Sequence, residues 1–87
     1  MFKWAVTGVQ PNPDFTLTIT FAGGRKRLFD CKTILNRPYA APLKDIGFFM
    51  QARADHQTVM WSEELDLCPE FLYKNSRRLT RRMLRGR

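Results

Sequence analysis

The chain has 87 residues, of which 44% are hydrophobic and 13% aromatic, and its formal net charge at pH 7 is +7. This length predicts one domain, and the apolar content is sufficient for a packed core of that size. No run of about 18 apolar residues occurs, which argues against a membrane span. The N-terminal residues lack the apolar stretch of a signal peptide, so we expect a cytoplasmic protein.

The net charge is concentrated at the C-terminal end. Residues 74–87 contain seven of the 15 basic residues and no acid, so the eight basic residues of the first 73 cancel the eight acids there. We therefore expect an anionic partner, if there is one, to bind this segment. The candidate residues for binding nucleic acid or an acidic partner are Lys74, Arg77, Arg78, Arg81, Arg82, Arg85 and Arg87.

Alternating apolar and polar side chains predict the first three strands. Residues 2–6 alternate until the prolines in residues 10–13 break the pattern. Residues 15–21 alternate large apolar side chains with threonines, which is typical of an antiparallel sheet with one covered face. Gly23 and Gly24 favour a hairpin turn, because glycine tolerates the positive φ of tight turns. Residues 25–30 then return as a strand.

The middle of the chain predicts short elements. Residues 31–36 indicate a single helical turn or an irregular stretch, and Pro42 favours the start of an amphipathic helix of about two to three turns. Residues 52–54 and 58–61 indicate two short strands joined by a turn at 55–57, and residues 62–64 a polar loop. The apolar face of the helix comprises Leu43, Ile46, Phe49 and Met50.

A last helix is predicted to start at Pro69, with Glu70 favoured in its first turn by the helix dipole. We expect this helix to continue into the basic segment, with five arginines on its polar face, and to end at Gly86. Its apolar stripe comprises Leu72, Ser76, Leu79 and Met83.

The predicted fold class is α+β, with a small antiparallel sheet of about four or five short strands, two or three short helices and a C-terminal basic amphipathic helix. Residues 1–75 form the predicted α+β domain, and residues 76–87 an arginine-rich extension.

Catalytic and metal sites are weakly indicated. His56 beside Asp55 could act as a general base, but a histidine at a hairpin tip is more simply a turn residue. Cys31, Cys68 and His56 lack the close spacing of zinc ligands. We expect both cysteines to be reduced and partly buried thiols. We therefore expect no enzymatic activity, no metal and no cofactor.

Two further clusters allow a binding or a structural reading. The glycine pair with Arg25 and Lys26 could cradle a phosphate, but a hairpin turn already explains it, and no helix follows. The acidic cluster comprises Glu63, Glu64, Asp66 and Glu70. It could bind a divalent cation, although acids before a helix commonly cap it, and Asp66 is the best helix-entry candidate. The same acids could also fold back onto the arginine segment.

Two matched segments carry a family resemblance. Ala-Pro-Leu-Lys-Asp at residues 41–45 and Asp-Leu-Cys-Pro-Glu at residues 66–70 surround Phe49 and the Thr-Val-Met-Trp of residues 58–61. Their order and spacing, with the glycine hairpin before them, resemble the bacterial family called domain of unknown function 2442 over about residues 1–75. The resemblance implies a small α+β domain with an antiparallel sheet, and it carries over no activity and no catalytic residue.

Family members are often encoded beside another small protein, in what look like toxin–antitoxin pairs. This chain departs from the family pattern after Trp61, where residues 62–65 read Ser-Glu-Glu-Leu, and in its arginine segment. The first functional hypothesis is a non-catalytic interaction or regulatory module, antitoxin-like, that binds a partner protein or a second copy of itself. The alternative is nucleic-acid binding through the arginine-rich helix. An enzyme and a membrane-surface role rank below both.

Overall fold

The computed structural model describes residues 4–79, which form two antiparallel sheets connected by short helices. The first sheet has the strand order β1 (Val6–Pro11), β2 (Thr16–Phe21), β3 (Lys26–Asp30) and β7 (Arg77–Arg78). The second consists of β4 (Arg53–Asp55), β5 (Thr58–Ser62) and β6 (Leu65–Leu67). The helices are two 3₁₀ segments, Cys31–Thr33 and Pro38–Lys44, and two α-helices, α1 (Ile46–Phe49) and α2 (Pro69–Asn75). The predicted α+β class with antiparallel pairing is confirmed.

The alternation in β2 has the predicted effect. Leu17, Ile19 and Phe21 are fully buried on one face of the strand. The glycine turn after β2 is also confirmed: Gly23 and Gly24 have φ values of 88° and 85°, and the Gly24 amide donates to the Phe21 carbonyl over 2.9 Å. The hairpin therefore places β3 directly beside β2.

The first strand lies further along the chain than predicted. It begins at Val6 and ends at Pro11, whereas the prediction covered residues 2–6, of which 1–3 lie outside the described part. A tight turn decides this, because the Asn12 amide bonds to the Thr16 carbonyl at 2.9 Å and sets Pro11 opposite Leu17. Within the described sheet β1 pairs only with β2, and an edge strand tolerates proline.

The predicted helix starting at Pro42 is wrong in its extent and in part of its apolar face. Pro42 lies inside a 3₁₀ helix that ends at Lys44. Asp45 then breaks the helical conformation, and its side chain accepts a hydrogen bond from the Gly47 amide at 2.9 Å and caps the four-residue α1. This interruption shifts the helical phase. Leu43 and Phe49 are fully buried as predicted, but the other two members of the face are exposed, Ile46 by 40% and Met50 by 38%.

The second sheet contains one strand more than predicted. The turn between β4 and β5 is confirmed, with positive φ at His56 (52°) and Gln57 (66°). The additional strand, β6, has only three residues, of which Leu65 and Leu67 are buried. So short a segment carries little periodicity, and its partner β5 is what holds it extended.

Helix α2 starts at Pro69 as predicted but ends at Asn75, so its predicted continuation through Arg77 and Arg78 is wrong. Ser76 is extended, with φ −100° and ψ 168°, and the next two residues pair with β3. Strand hydrogen bonds to a sheet edge replace the helical ones here. Of the predicted apolar stripe, Leu72 and Ser76 are buried and Leu79 is half-buried, and Met83 and Gly86 lie outside the described residues.

One hydrophobic core joins the two sheets. Phe49 is fully buried in it, and its ring centroid lies 5.2 Å from that of Phe15 and 6.1 Å from that of Trp61. The indole N–H of Trp61 donates to the Phe49 carbonyl over 2.9 Å, which satisfies a buried polar group. Leu72 of α2 belongs to the same cluster, so the helix that leads to β7 is anchored in this core.

Candidate anion-binding site

Arg27 fixes the chain where α2 ends. Its Nε donates to Ser76 Oγ over 2.8 Å and its Nη2 donates to the Ser76 carbonyl over 2.6 Å. The guanidinium carbon also lies 4.6 Å from the centroid of the Tyr73 ring. A planar group with several fixed donors suits this double contact. Arg27 therefore holds the last turn of α2 and the start of β7 against β3.

The pairing of β7 with β3 brings together two basic segments that are far apart in the sequence. Arg78 lies opposite Arg27, and Arg77 lies opposite Leu28. The cluster at residues 25–27 thereby becomes the neighbour of the two basic residues of β7. The pairing therefore concentrates positive charge at one edge of the first sheet. It also places two like charges directly opposite each other, which is unfavourable in a sheet.

A groove lies where these segments meet. It has a volume of about 360 Å³, and its lining contains no carboxylate. Within the described part of the chain, Lys26 and Arg78 form no ion pair with an acid, and both are exposed. Arginine donors around such a concavity suit the oxygen atoms of an anion. We call this the cationic groove; its lining residues are Arg25, Lys26, Arg27, Tyr73 and Arg78.

A second depression, of about 520 Å³, includes Lys74 and Arg77. It also includes Asp30, which pairs with Lys32 at 3.1 Å, and its Lys74 ammonium pairs with Glu70 at 2.9 Å. Carboxylates thus offset part of the positive charge at this depression. The cationic groove is the more suitable place for an anion.

The candidate binding residues are placed as follows. Lys74 lies on α2, pairs with Glu70 and has its Nζ 5.9 Å from the Trp4 ring centroid. Arg77 and Arg78 lie on β7, not on a helix, and only Arg78 lines the groove. The remaining candidates lie outside the described residues: Arg81, Arg82, Arg85 and Arg87.

Two groove residues, Arg27 and Tyr73, were not considered as binding residues from the sequence, and Arg25 and Lys26 were considered only with the glycine turn as a possible phosphate cradle. The run of three basic residues at 25–27 is visible in the sequence. What the sequence lacks is any signal that this run faces the C-terminal segment, because the contact depends on a two-residue strand.

His56 lies on the turn between β4 and β5, and its side chain is 78% exposed. Its Nδ1 is 3.5 Å from Asp55 Oδ1, which makes the two a surface pair at the tip of a hairpin. Within residues 4–79 no group of three or more His, Cys, Asp or Glu side chains could hold a metal ion.

The acidic cluster is spread over several elements. Glu70 lies in the first turn of α2, as expected, and pairs with Lys74 there. Asp66 lies on β6 and does not cap the helix, so that prediction is wrong. The N-cap position belongs to Cys68, since β6 extends as far as Leu67.

The two cysteines differ in environment, and both are free thiols. Cys31 is fully buried, and this burial is the main cause that raises the pKa of its thiol to about 12. Cys68 is exposed, which differs from the expected partial burial. A buried thiol with a raised pKa is a poor nucleophile, because the thiolate is the reactive form.

The fold and the groove together define a small α+β protein of two antiparallel sheets with a cationic sheet edge. The family model described as "Protein of unknown function (DUF2442)" matches residues 6–78, and the chain belongs to this family. The match includes β7 and so extends slightly beyond the expected end near residue 75. Comparisons with curated proteins and with solved structures give no significant match. None of the helices between residues 4 and 79 is long and apolar enough to cross a membrane.

Proposed function

We propose that this protein is a non-catalytic binding module that holds a nucleic acid on its cationic groove. The observation that carries the proposal is the pairing of β7 with β3, which puts the basic residues 25–27 beside Arg77 and Arg78. A partner with evenly repeated negative charge complements such a surface better than one with a few scattered acids.

The sequence beyond the groove supports the same partner. Four more arginines and no acid follow Leu79, so the positive charge continues from Arg78 to the last residue. We also propose a cytoplasmic location, because nucleic acid is present in that compartment.

The test is fluorescence anisotropy with labelled single-stranded DNA, duplex DNA and RNA of equal length between 50 and 200 mM salt. If about four cations contact phosphates of duplex DNA, log affinity should fall against log salt with a slope of about −3.6. Polyglutamate of equal charge is the comparison polyanion. If the protein binds none of the three nucleic acids at 50 mM salt, or binds polyglutamate more tightly than it binds them, the proposal is contradicted.

A partner protein is the second candidate, in the regulatory, antitoxin-like role first expected. Three large apolar side chains around the second 3₁₀ helix and α1 favour it: Tyr39 is 51% exposed, Ile46 40% and Met50 38%. Apolar side chains that remain in solvent are common at sites of protein contact. Co-purification with the product of the adjacent gene tests this role. Light scattering of the purified protein alone tells a homo-oligomer from a complex of two different chains.

A further inference from the structure

Three arginines line the cationic groove, and two of them lie directly opposite each other in the first sheet. Resting on the proposed function, we infer that Arg27 and Arg78 together bind one phosphodiester group of the nucleic acid. Arg27 would use the donors that its contact with Ser76 leaves over. The register of the strands, the hydrogen bonds of Arg27 and the like charges of the pair support this site.

The register of the strands decides which basic side chains meet in the groove. Arg27 lies opposite Arg78, and directly opposed residues of a sheet project their side chains from the same face. Lys26 lies opposite Thr20 on the other face, with its Nζ 3.4 Å from Thr20 Oγ1. The side chains of Arg27 and Arg78 therefore share one face of the sheet, and that of Lys26 is directed away from them.

The Arg27 guanidinium is held by the fold through only part of its donors. Its Nε and Nη2 donate to Ser76, and its central carbon lies 4.6 Å from the centroid of the Tyr73 ring. A guanidinium has further N–H donors, on Nη1 and on Nη2. Within residues 4–79 the Nη1 donors of Arg27 have no hydrogen-bond acceptor. These donors are already oriented, and a group that is ordered in advance loses less entropy when it binds a ligand.

Arg78 supplies the second guanidinium of the site. Its side chain is exposed and forms no ion pair with an acid of the described chain. Arginine binds phosphate oxygens through paired donors, which suits a phosphodiester between two guanidinium groups. Arg25 adds positive charge to the same groove, with its guanidinium carbon 5.5 Å from the centroid of the Tyr73 ring.

The like charges of this pair give the anion a structural effect as well. Arg78 lies directly opposite Arg27, an arrangement that costs stability in the absence of an anion. A phosphodiester bound between the two guanidinium groups offsets this repulsion. Anion binding and the docking of β7 on β3 should then favour each other, as linked equilibria do.

The test measures fluorescence anisotropy at 100 mM salt with a labelled ten-nucleotide DNA single strand. Arg78→Gln should weaken binding about fivefold and reduce the salt slope by no more than about 0.7, the contribution of one phosphate on a single strand. Lys26→Gln is the matched control, because it removes one charge from an exposed side chain on the other face of the same sheet edge. It should bind within about twofold of the unaltered protein, since salt screens a charge that does not touch the phosphate.

A double-mutant cycle tests whether the two arginines share one phosphate. Arg27→Lys keeps the charge but loses the paired donors, and it should weaken binding about threefold by itself, with circular dichroism to check that the variant is folded. Arg27→Lys combined with Arg78→Gln should lose less than the product of the two single losses, because residues that contact the same group are not additive. A loss equal to the product would show two independent contacts and overturn the shared site.

A second measurement needs no substitution at Arg27. Titration with inorganic phosphate should shift the side-chain Nε–H NMR signals of Arg27 and Arg78 in a saturable way and with one common dissociation constant. The DNA strand should shift the same two signals. The signal of Arg77 is the internal control, because Arg77 lies opposite Leu28 on the other face of the sheet. Equal shifts for Arg77 and Arg78 would overturn the site.

The outcomes separate this inference from the proposed function. If Arg78→Gln binds DNA like Lys26→Gln, while replacement of all four arginines beyond residue 80 by glutamine abolishes binding, the groove assignment is wrong and the proposed function stands. If inorganic phosphate shifts the signals of Arg27 and Arg78 but the DNA strand does not, the groove takes another phosphate and the inference is again overturned. If the unaltered protein does not bind the strand, the proposed function itself is contradicted.

Discussion

Arg27 joins three structural features with one side chain. It extends from β3, binds the hydroxyl and the carbonyl of Ser76, and covers the ring of Tyr73. The Ser76 hydroxyl in turn donates to the Tyr73 carbonyl over 3.2 Å, near the C-terminal end of α2. The carbonyls at a helix end need partners, and here a guanidinium and a serine supply two. This is the local reason why the chain leaves the helix at Ser76.

Replacing Arg27 by lysine should therefore destabilise the protein although the charge is kept. Lysine cannot reproduce the paired donors of the guanidinium, and we expect a loss of about 1–3 kcal/mol in the free energy of unfolding. Urea denaturation followed by circular dichroism measures it. Arg37→Lys, at an exposed position, should change stability by less than about 0.5 kcal/mol. Equal effects of the two substitutions would contradict the role given to Arg27.

Cys31 predicts how stability changes at high pH. Burial raises the pKa of its thiol from an ordinary value of 9.0 to about 12, so the folded state keeps the proton that the unfolded state loses. The contribution to stability is complete below pH 9.0 and is lost as the pH rises towards 12, at up to about 1.4 kcal/mol per pH unit. Cys31→Ala should show a shallower decline of stability between pH 9 and 10.5. Identical slopes would contradict the assignment.

At the scale of elements, the hairpin between β2 and β3 depends on its glycine turn. Gly24 has φ +85°, and a Cβ atom added there would meet nothing within 4 Å, so a substitution acts through the backbone alone. Gly24→Ala should cost about 1 kcal/mol, because the left-handed region is unfavourable for residues with a Cβ atom. Thermal or urea unfolding measures the cost.

Gly8 is the matched control for this prediction. Its φ is not in the left-handed region, and a Cβ atom there would lie in ordinary contact with Thr20 Cβ at 3.8 Å. Gly8→Ala should therefore leave stability unchanged or raise it slightly, because alanine lowers the entropy of the unfolded chain. A larger loss at Gly8 than at Gly24 would show that contacts, and not backbone conformation, determine the effect.

At the scale of the whole molecule, the two sheets share one core. Phe49, Trp61 and Leu72 belong to a single buried cluster with side chains of the first sheet. The Phe49 ring contacts Phe15, just before β2, and Trp61 of β5, so this core is shared by the two sheets. Folding should accordingly be one cooperative step.

This cooperativity can be measured with the intrinsic probes. In a Trp4→Phe background, the fluorescence of Trp61 reports on β5, and far-ultraviolet circular dichroism reports on all elements. Both signals should give the same urea midpoint. Phe49→Ala should lower that midpoint in both signals together, with a loss of about 3–5 kcal/mol. Separate midpoints for the two signals would show that the sheets unfold independently.

The sequence predicted those elements whose pattern is local and sufficiently long. The alternation in β2, the positive φ at Gly23 and Gly24, and the helix start at Pro69 are each set by neighbouring residues, and all three are confirmed. Shorter elements were less visible. β6 has three residues and α1 four, and Asp45 changes the helical phase before Ile46 in a way that the apolar spacing does not reveal.

The candidate site also combines features set by local sequence with features set only by tertiary contacts. The sequence alone determined that the positive charge lies at the C-terminal end, that residues 25–27 form a second basic run, and that a glycine hairpin precedes this run. It could not determine that the two basic regions meet, because helical periodicity favoured a continuous helix through Arg77 and Arg78. The tertiary structure decided otherwise, since Arg27 binds Ser76 and the open edge of β3 pairs with β7. These contacts join residues about fifty positions apart, and no local pattern encodes them.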